Sequence, residues 1–364
     1  MSFTQVVHKA WNQHLLFSVL VELTYRCNLN CFFCYNDLGL QGTELSRGQY
    51  RALFEDLAEM QVFNLVLTGG EPLAHPDFFD LGRHARDLRF MVRVKSNGHA
   101  LARPLAKRLK EEVDPFLVEV SLHGSAASTH DRQTRVPGSF DQLMRNLEGM
   151  ADLGLRLRIN STLTRWNENE IEGMFAIAER FGLPIHIDPI VTPRDDGDTS
   201  PLQVAPSREG VARLFRLQHE RSQRDQSVAV GRQADDALPP NPSSSQSDKH
   251  CGAGSSGLAI DPFGNVYPCV QWRRPIGNLH QESIRDLWES SGALEDIRGI
   301  NREVKTRIGE LGDYGQTLSF CPGQAALESG SPLEMYPSAV RRAETLAEVQ
   351  SKGSEKKPLF PIIS

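Results

Sequence analysis

The stretch LTYRCNLNCFFCYN (residues 23–36) closes an apolar run, LFSVLVELT (16–24), that reads as a β-strand. It spaces Cys27, Cys31 and Cys34 as C-x3-C-x2-C, so three thiolates fall within eight residues. Structural zinc takes four protein ligands in a closed tetrahedron, and a fourth is missing nearby. A [4Fe–4S] cube held by three cysteines leaves one iron open to an outside ligand, and thiolates are the usual holders of such clusters. A zinc knuckle or buried structural thiols is the alternative that spacing alone leaves.

Working outward, strand and helix patterns alternate six times between residue 16 and about residue 222. The strands read as 16–24, 62–68, 90–96, 116–122, 155–163 and 184–190, and the helices as 46–60, 76–88, 101–112, 139–153, 167–181 and 207–222. In the helix at 139–153, Ser139 can cap, Leu143, Leu147 and Met150 share a face, and Gly154 sits where the helix must stop. Such alternation means right-handed parallel βαβ units, hence an α/β fold; six units suggest a partial (β/α)6 barrel with an open side.

The strands also alternate in polarity. Glu22 and Thr24, Asn64 and Thr68, Glu119 and Ser121, Arg156, Arg158 and Asn160, and His186 and Asp188 lie opposite apolar neighbours. The apolar face must meet the helices, so the polar face lines the barrel. That lumen is a cavity for a polar ligand or a lattice of structural ion pairs, and buried pairs alone are a poor source of stability.

The 364 residues carry 40 basic and 46 acidic side chains, a formal charge of −6, which shows no footprint for nucleic acid. No apolar run approaches the length of a membrane span, and the N-terminus lacks the ordered regions of a signal peptide. Six clustered cysteines fit a reducing cytoplasm with thiolates free for metal. The chain divides into a barrel (1–222), a Pro/Ser/Gln/Asp-rich linker or lid (223–250), a small α+β unit (251–330) and a tail (331–364).

Directly after the second strand comes Gly69-Gly70-Glu71-Pro72, where two glycines permit close approach to the backbone and a carboxylate stands beside them. One strand after a CxxxCxxC loop with Phe33 before its last cysteine, this GGEP resembles the radical S-adenosylmethionine (SAM) enzymes. That resemblance implies a [4Fe–4S] cluster whose open iron chelates SAM, with GGEP holding the methionine amino group. By the same resemblance Ser96 and Asn97 match a "TNG" segment, Ser121 a ribose contact, Arg135 the arginine aimed at the SAM carboxylate, and Asn160 another polar contact. Phe33 would lie against the adenine.

Downstream, CGAGSSGLAIDPFGNVYPCVQWRRPIGNLHQESIRDLW (251–288) reads as a hairpin around a DPFGN turn, followed by a helix. The turn, Cys269 and the IGNL…LW phrase resemble the C-terminal extension called SPASM, or its shortened form, twitch, which binds auxiliary iron–sulfur clusters. A full SPASM domain has about seven cysteines. This chain offers Cys251, Cys269 and Cys321, enough for one auxiliary [4Fe–4S] cluster. Its fourth iron would be open, bound by substrate, or ligated by His250 or His280. Free thiols or zinc remain the alternative.

The resemblance implies a 5′-deoxyadenosyl radical that abstracts hydrogen, an external electron donor such as flavodoxin or ferredoxin, and a proton acceptor. Asp188 and Glu119 are the lumen candidates for that base, or else charge partners of Arg156 or Arg158. IVTPRDDGDTSPL (190–202) and CPGQAALESGSP (321–332) resemble peptide maturases, including those of the pyrroloquinoline-quinone type. That favours a ribosomal peptide substrate over a small-molecule precursor or a non-catalytic metal-binding role. Some fifteen residues precede the first strand, so recognition would fall to a separate leader-binding protein or to the enzyme's own surface.

Overall fold

Strands β1 (Ser18–Glu22), β2 (Asn64–Thr68), β3 (Met91–Ser96), β4 (Leu117–Ser121), β5 (Leu157–Thr162) and β6 (Ile185–Asp188) run parallel, each beside the next in sequence. The structure is a computed structural model that describes residues 3–37, 39–228, 247–312, 314–315 and 318–352. Of the expected linker, 223–228 end the helix Arg208–Val228 and 229–246 lie outside the described residues. Of the tail, the helix Pro337–Lys352 is described and 353–364 are not.

Between the strands, helices bury one apolar stripe each. Tyr50, Leu53, Phe54 and Leu57 do so on Arg47–Glu59, and Leu143, Leu147 and Met150 on Ser139–Asp152. They meet Val19 and Val21, Leu65 and Leu67, Val92 and Val94, and Val118 and Val120 in one continuous core. The Ser139 expectation needs correction. Gly138, at φ 78°, is the N-cap residue, and Ser139 Oγ instead donates to Asp131 Oδ1 at 2.9 Å. Gly154, at φ 66°, follows the helix end as its left-handed stop.

The sheet does not stop at β1. Strand β7 (Gly257–Ile260) pairs parallel with β1, placing Val19 beside Leu258 and Val21 beside Ile260. Two antiparallel strands, β8 (Asn265–Tyr267) and β9 (Gly277–Asn278), complete the order β6-β5-β4-β3-β2-β1-β7-β8-β9. The DPFGN turn forms as read: Asp261 Oδ1 accepts from the amides of Phe263 and Asn265, both at 2.9 Å, and Gly264 takes φ 79°. The second cysteine segment therefore extends the barrel sheet. A second, smaller core of Val304, Leu318, Phe320, Tyr336, Ala339 and Ala343 carries the C-terminal helices.

One side chain ties these parts together. Arg273, in the loop beyond β8, donates to both oxygens of Glu22 at 2.9 and 2.8 Å and reaches Asp195, beyond β6, at 2.8 Å. Glu22 is fully buried, and Tyr25 Oη adds a donor to it at 3.1 Å. Removing one partner from a buried pair strands the other charge, so Arg273→Met is expected to cost about 3–5 kcal/mol. Urea unfolding under anaerobic conditions would measure it. Combination with Glu22→Gln should cost clearly less than the two losses summed, and simple additivity would show that the pair is not coupled.

Candidate functional site

The cysteine loop is held from two sides by backbone. On one, Gly70 N–H donates to Thr24 O at 2.7 Å and Glu71 N–H to Arg26 O at 2.9 Å. On the other, Asn30 and Phe32 amides donate to Thr134 O and Gln133 O, both at 3.0 Å. A Cβ on Gly69 would fall 2.3 Å from Thr24 O, and one on Gly70 2.6 Å from both Tyr25 O and Arg26 O. What approaches these glycines closely is thus the cysteine loop's own backbone. Gly70→Ala must push Tyr25 and Arg26 away and is expected to destabilise the chain by about 2–4 kcal/mol. The mutant should also lose iron on reconstitution, which absorbance and iron analysis would read.

The three thiols are free. Burial pushes all three up, and the charges of Cys34 and Cys27 add to the rise at Cys31. Cys27 Sγ accepts from Leu29 N–H at 3.4 Å and Asn97 Nδ2 at 3.7 Å. Among the described residues no three Cys, His, Asp or Glu groups are drawn together as a metal-ion site. The fit to a cluster rests on the donor set: three free thiols on one loop, Cys31 and Cys34 half-buried and Cys27 exposed, of the kind that iron–sulfur clusters take.

Asn97 connects that loop to Glu71. Its Nδ2 donates to Asn28 Oδ1 at 2.8 Å, while its backbone N–H donates to Glu71 Oε2 at 2.8 Å. Ser96 Oγ and Leu73 N–H donate to Glu71 Oε1 at 2.9 and 3.2 Å, and Pro72 opens the short turn that brings Leu73 there. Burial pushes the Glu71 carboxyl up to about 7 against the pull of these donors. Raised above its unfolded value, this carboxyl favours folding below about pH 4.5 and withdraws that support as pH rises through 7. In cluster-free protein, Glu71→Gln is therefore expected to be more stabilising at pH 8 than at pH 4.5, by about 1–3 kcal/mol. Thermal melts at the two pH values would show it, and an equal shift at both would contradict it.

Register sets Glu119 beside Arg158, Ser121 beside Asn160, Asn160 beside His186 and Thr162 beside Asp188. Glu119, expected as a base or as a charge partner of Arg156 or Arg158, forms the ion pair with Arg158. Burial alone would raise its carboxyl, but Lys95, Arg93 and Arg158 overcome that and hold it down at about 2. Its ion pairs run to Arg93, to Arg158 at 2.9 Å and to Lys95 at 3.6 Å, and Asn160 Nδ2 donates to it at 2.6 Å. Arg156 pairs elsewhere, with Asp114 at 3.1 Å. Asp188 differs: burial pushes its carboxyl up, and Ile190 N–H donates to its Oδ1 at 2.9 Å. Asn160 Oδ1 is buried without a partner.

Arg135, at φ 57°, ends the helix Ala127–Thr134 and lays its guanidinium 4.5 Å from the Phe32 ring centre. Phe33 packs edge-on against His123, centres 4.7 Å apart. Sequence reasoning missed Arg93, Lys95 and Arg273. Arg93 and Lys95 alternate with Val92 and Val94, so the parity already applied to the other strands would have found them.

In the second group, Cys251 Sγ–H donates to Asn301 Oδ1 at 3.1 Å, and the Cys321 amide to Tyr336 Oη at 3.0 Å. Burial pushes Cys251 up to about 12, with Cys321 adding to it. Cys269 is raised by burial first and then by Cys321 and Cys251. His280 is exposed, and both its ring nitrogens are engaged, with Thr43 O and Gln49 Nε2 at 2.9 Å each. Gln49 lies on the helix Arg47–Glu59, so in this arrangement neither ring nitrogen of His280 is free to ligate a cluster. His250 is buried; its Nε2 must donate to Phe320 O at 2.8 Å, leaving Nδ1 without a partner.

Residues 21–178 match the Radical SAM superfamily and residues 251–310 the iron–sulfur cluster-binding domain SPASM. The chain is a radical SAM enzyme with a C-terminal SPASM domain. It is 29% identical over 320 residues to mycofactocin maturase MftC of Mycobacterium tuberculosis, covering 86% of this chain and 80% of that one. It is 25% identical over 345 residues to the AdoMet-dependent heme synthase of Methanosarcina barkeri, covering 88% and 95%. The PqqA peptide cyclase of Xanthomonas euvesicatoria pv. vesicatoria is 28% identical over 360 residues, covering 94% and 93%. In fold it is similar to native anSMEcpe with bound AdoMet, at TM-score 0.68 and 15% identity over 93% of this chain and 98% of that one. Among the described residues no helix is long and apolar enough to cross a membrane.

Proposed function

We propose that this enzyme modifies a ribosomally made peptide, with Cys27, Cys31 and Cys34 holding the SAM-binding [4Fe–4S] cluster and Cys251, Cys269 and Cys321 one auxiliary cluster. The observation that carries the assignment is the Asn28–Asn97–Glu71 chain of hydrogen bonds, which joins the first cysteine loop to the GGEP turn. When bound, cluster and SAM supply the radical that abstracts hydrogen from the substrate. The protein's residues position and discharge. Glu71 offers a buried anion to the SAM ammonium, Arg135 a cation to its carboxylate, and Ser121 and Asn160 polar groups to its ribose. Glu119 keeps Arg93, Lys95 and Arg158 fixed. Asp188, half-buried and without an ion-pair partner among the described residues, would take the proton released when a substrate radical gives its electron to the auxiliary cluster that Cys251, Cys269 and Cys321 would hold.

A peptide substrate is supported by the relatives named mycofactocin maturase and PqqA peptide cyclase. Oxidation of a small molecule is the second reading, favoured by the heme synthase relative. A flavodoxin or ferredoxin would supply electrons, and a separate protein would present the leader peptide. The test is anaerobic reconstitution, with about eight irons per chain expected for two cubes. Dithionite and SAM should then yield 5′-deoxyadenosine, and Cys31→Ala should abolish it. Stoichiometric zinc without iron, or no deoxyadenosine, would sink the assignment. Incubation with a short peptide encoded beside the gene decides between the two substrates by mass change.

A further inference from the structure

Beside the end of β6 lies a cavity of about 450 Å³. Its walls are Pro189 and Val191, the segment from Leu202 to Val211, and the inner side of the helix Pro337–Lys352. Four arginines line it, Arg165, Arg208, Arg341 and Arg342, against one acid, Glu209. Arg208 is spoken for by Glu344 and Glu348, at 3.5 and 2.5 Å. Among the described residues no carboxylate forms an ion pair with Arg165, Arg341 or Arg342.

Arg342 is the telling one. It is only 9% exposed, and its NH groups reach Ser338 Oγ, Ser319 O and Tyr336 Oη at 3.2, 3.3 and 3.4 Å, all neutral. Among the described residues its Nε has no hydrogen-bond partner. A buried guanidinium with neutral partners and an idle donor is costly unless an anion completes it. Its contact at Ser319 lies two residues before Cys321, and Pro189 in the cavity wall directly follows Asp188 at the end of β6.

We propose that this cavity holds a carboxylate of the substrate peptide on Arg165, Arg341 and Arg342, and so sets which peptide residue reaches the lumen beside Asp188. Pro189, Val191 and Leu202 give the neighbouring peptide side chain an apolar wall. This rests on the peptide reading given above and adds the feature of the peptide that is recognised.

The probes are N-acetyl-Ala-Leu as the free acid, its C-terminal amide, and N-acetyl-Ala-Glu amide, whose one carboxylate is in the side chain. Ligand-observed NMR on anaerobic holoenzyme would compare them. A carboxylate–arginine contact corresponds to at least about a tenfold difference, so the plain amide should bind that much more weakly than the better acid. The R165Q/R341Q double variant should lose a similar factor with its melting temperature unchanged. Preference for the first acid places a peptide C-terminus in the cavity, and preference for the glutamyl amide places an internal acidic residue there. Equal binding of acid and amide, binding of neither, or native-like binding by the variant would overturn the proposal. Binding requires no SAM cleavage, so loss of deoxyadenosine formation with intact acid preference would count against the radical reading alone.

Discussion

The Arg273 guanidinium is the constraint on which the rest depends. It sits against Glu22 at the end of β1 and Asp195 beyond β6, while its own segment follows Cys269 by four residues. Buried ion pairs return little net stability against the desolvation of their charges. They are geometrically demanding, however, and a bidentate fork fixes orientation as well as distance. Four residues separate Glu22 from Cys27, so one planar group sets where both cysteine segments leave the sheet. Tyr267, whose ring centre is 5.0 Å from the guanidinium, keeps water from one face of it.

Of the two readings that the alternating strands posed for the lumen, the ion pairs are in place at one depth. Around Glu119 the polar face is an ion-pair lattice, saturated by three cations and an amide. Toward the strand ends, Asp188 and the unpaired carbonyl of Asn160 keep unspent capacity. Polar character alone does not distinguish these layers, because the difference lies in cations arriving from neighbouring strands. Lys95 and Arg158 flank Glu119 directly by register.

What was legible in the sequence was local. The six βα units, the apolar stripe of 143, 147 and 150 and the DPFGN turn all follow from short-range periodicity and spacing. What was not legible was long-range. Nothing in GLAI (257–260) announces that it pairs with a strand some 240 residues earlier, since a four-residue apolar run fits any partner. The same limit hid the reason for Gly69 and Gly70, whose neighbour is backbone, and it let His280 pass as a ligand when its ring is held by Thr43 and Gln49.

The pairing of β7 with β1 has a consequence for how such a chain can be divided. A strand with Val19 and Val21 fully buried and its outer hydrogen-bonding groups unmatched is a template for any extended segment that meets it. β7 is the cap on that template, delivered from the cluster-binding end of the chain. The barrel is therefore not a module to be cut away at residue 222 and kept in solution. Its innocuous surface belongs to the whole chain, and during synthesis β1 must wait for most of the polypeptide before its edge is closed.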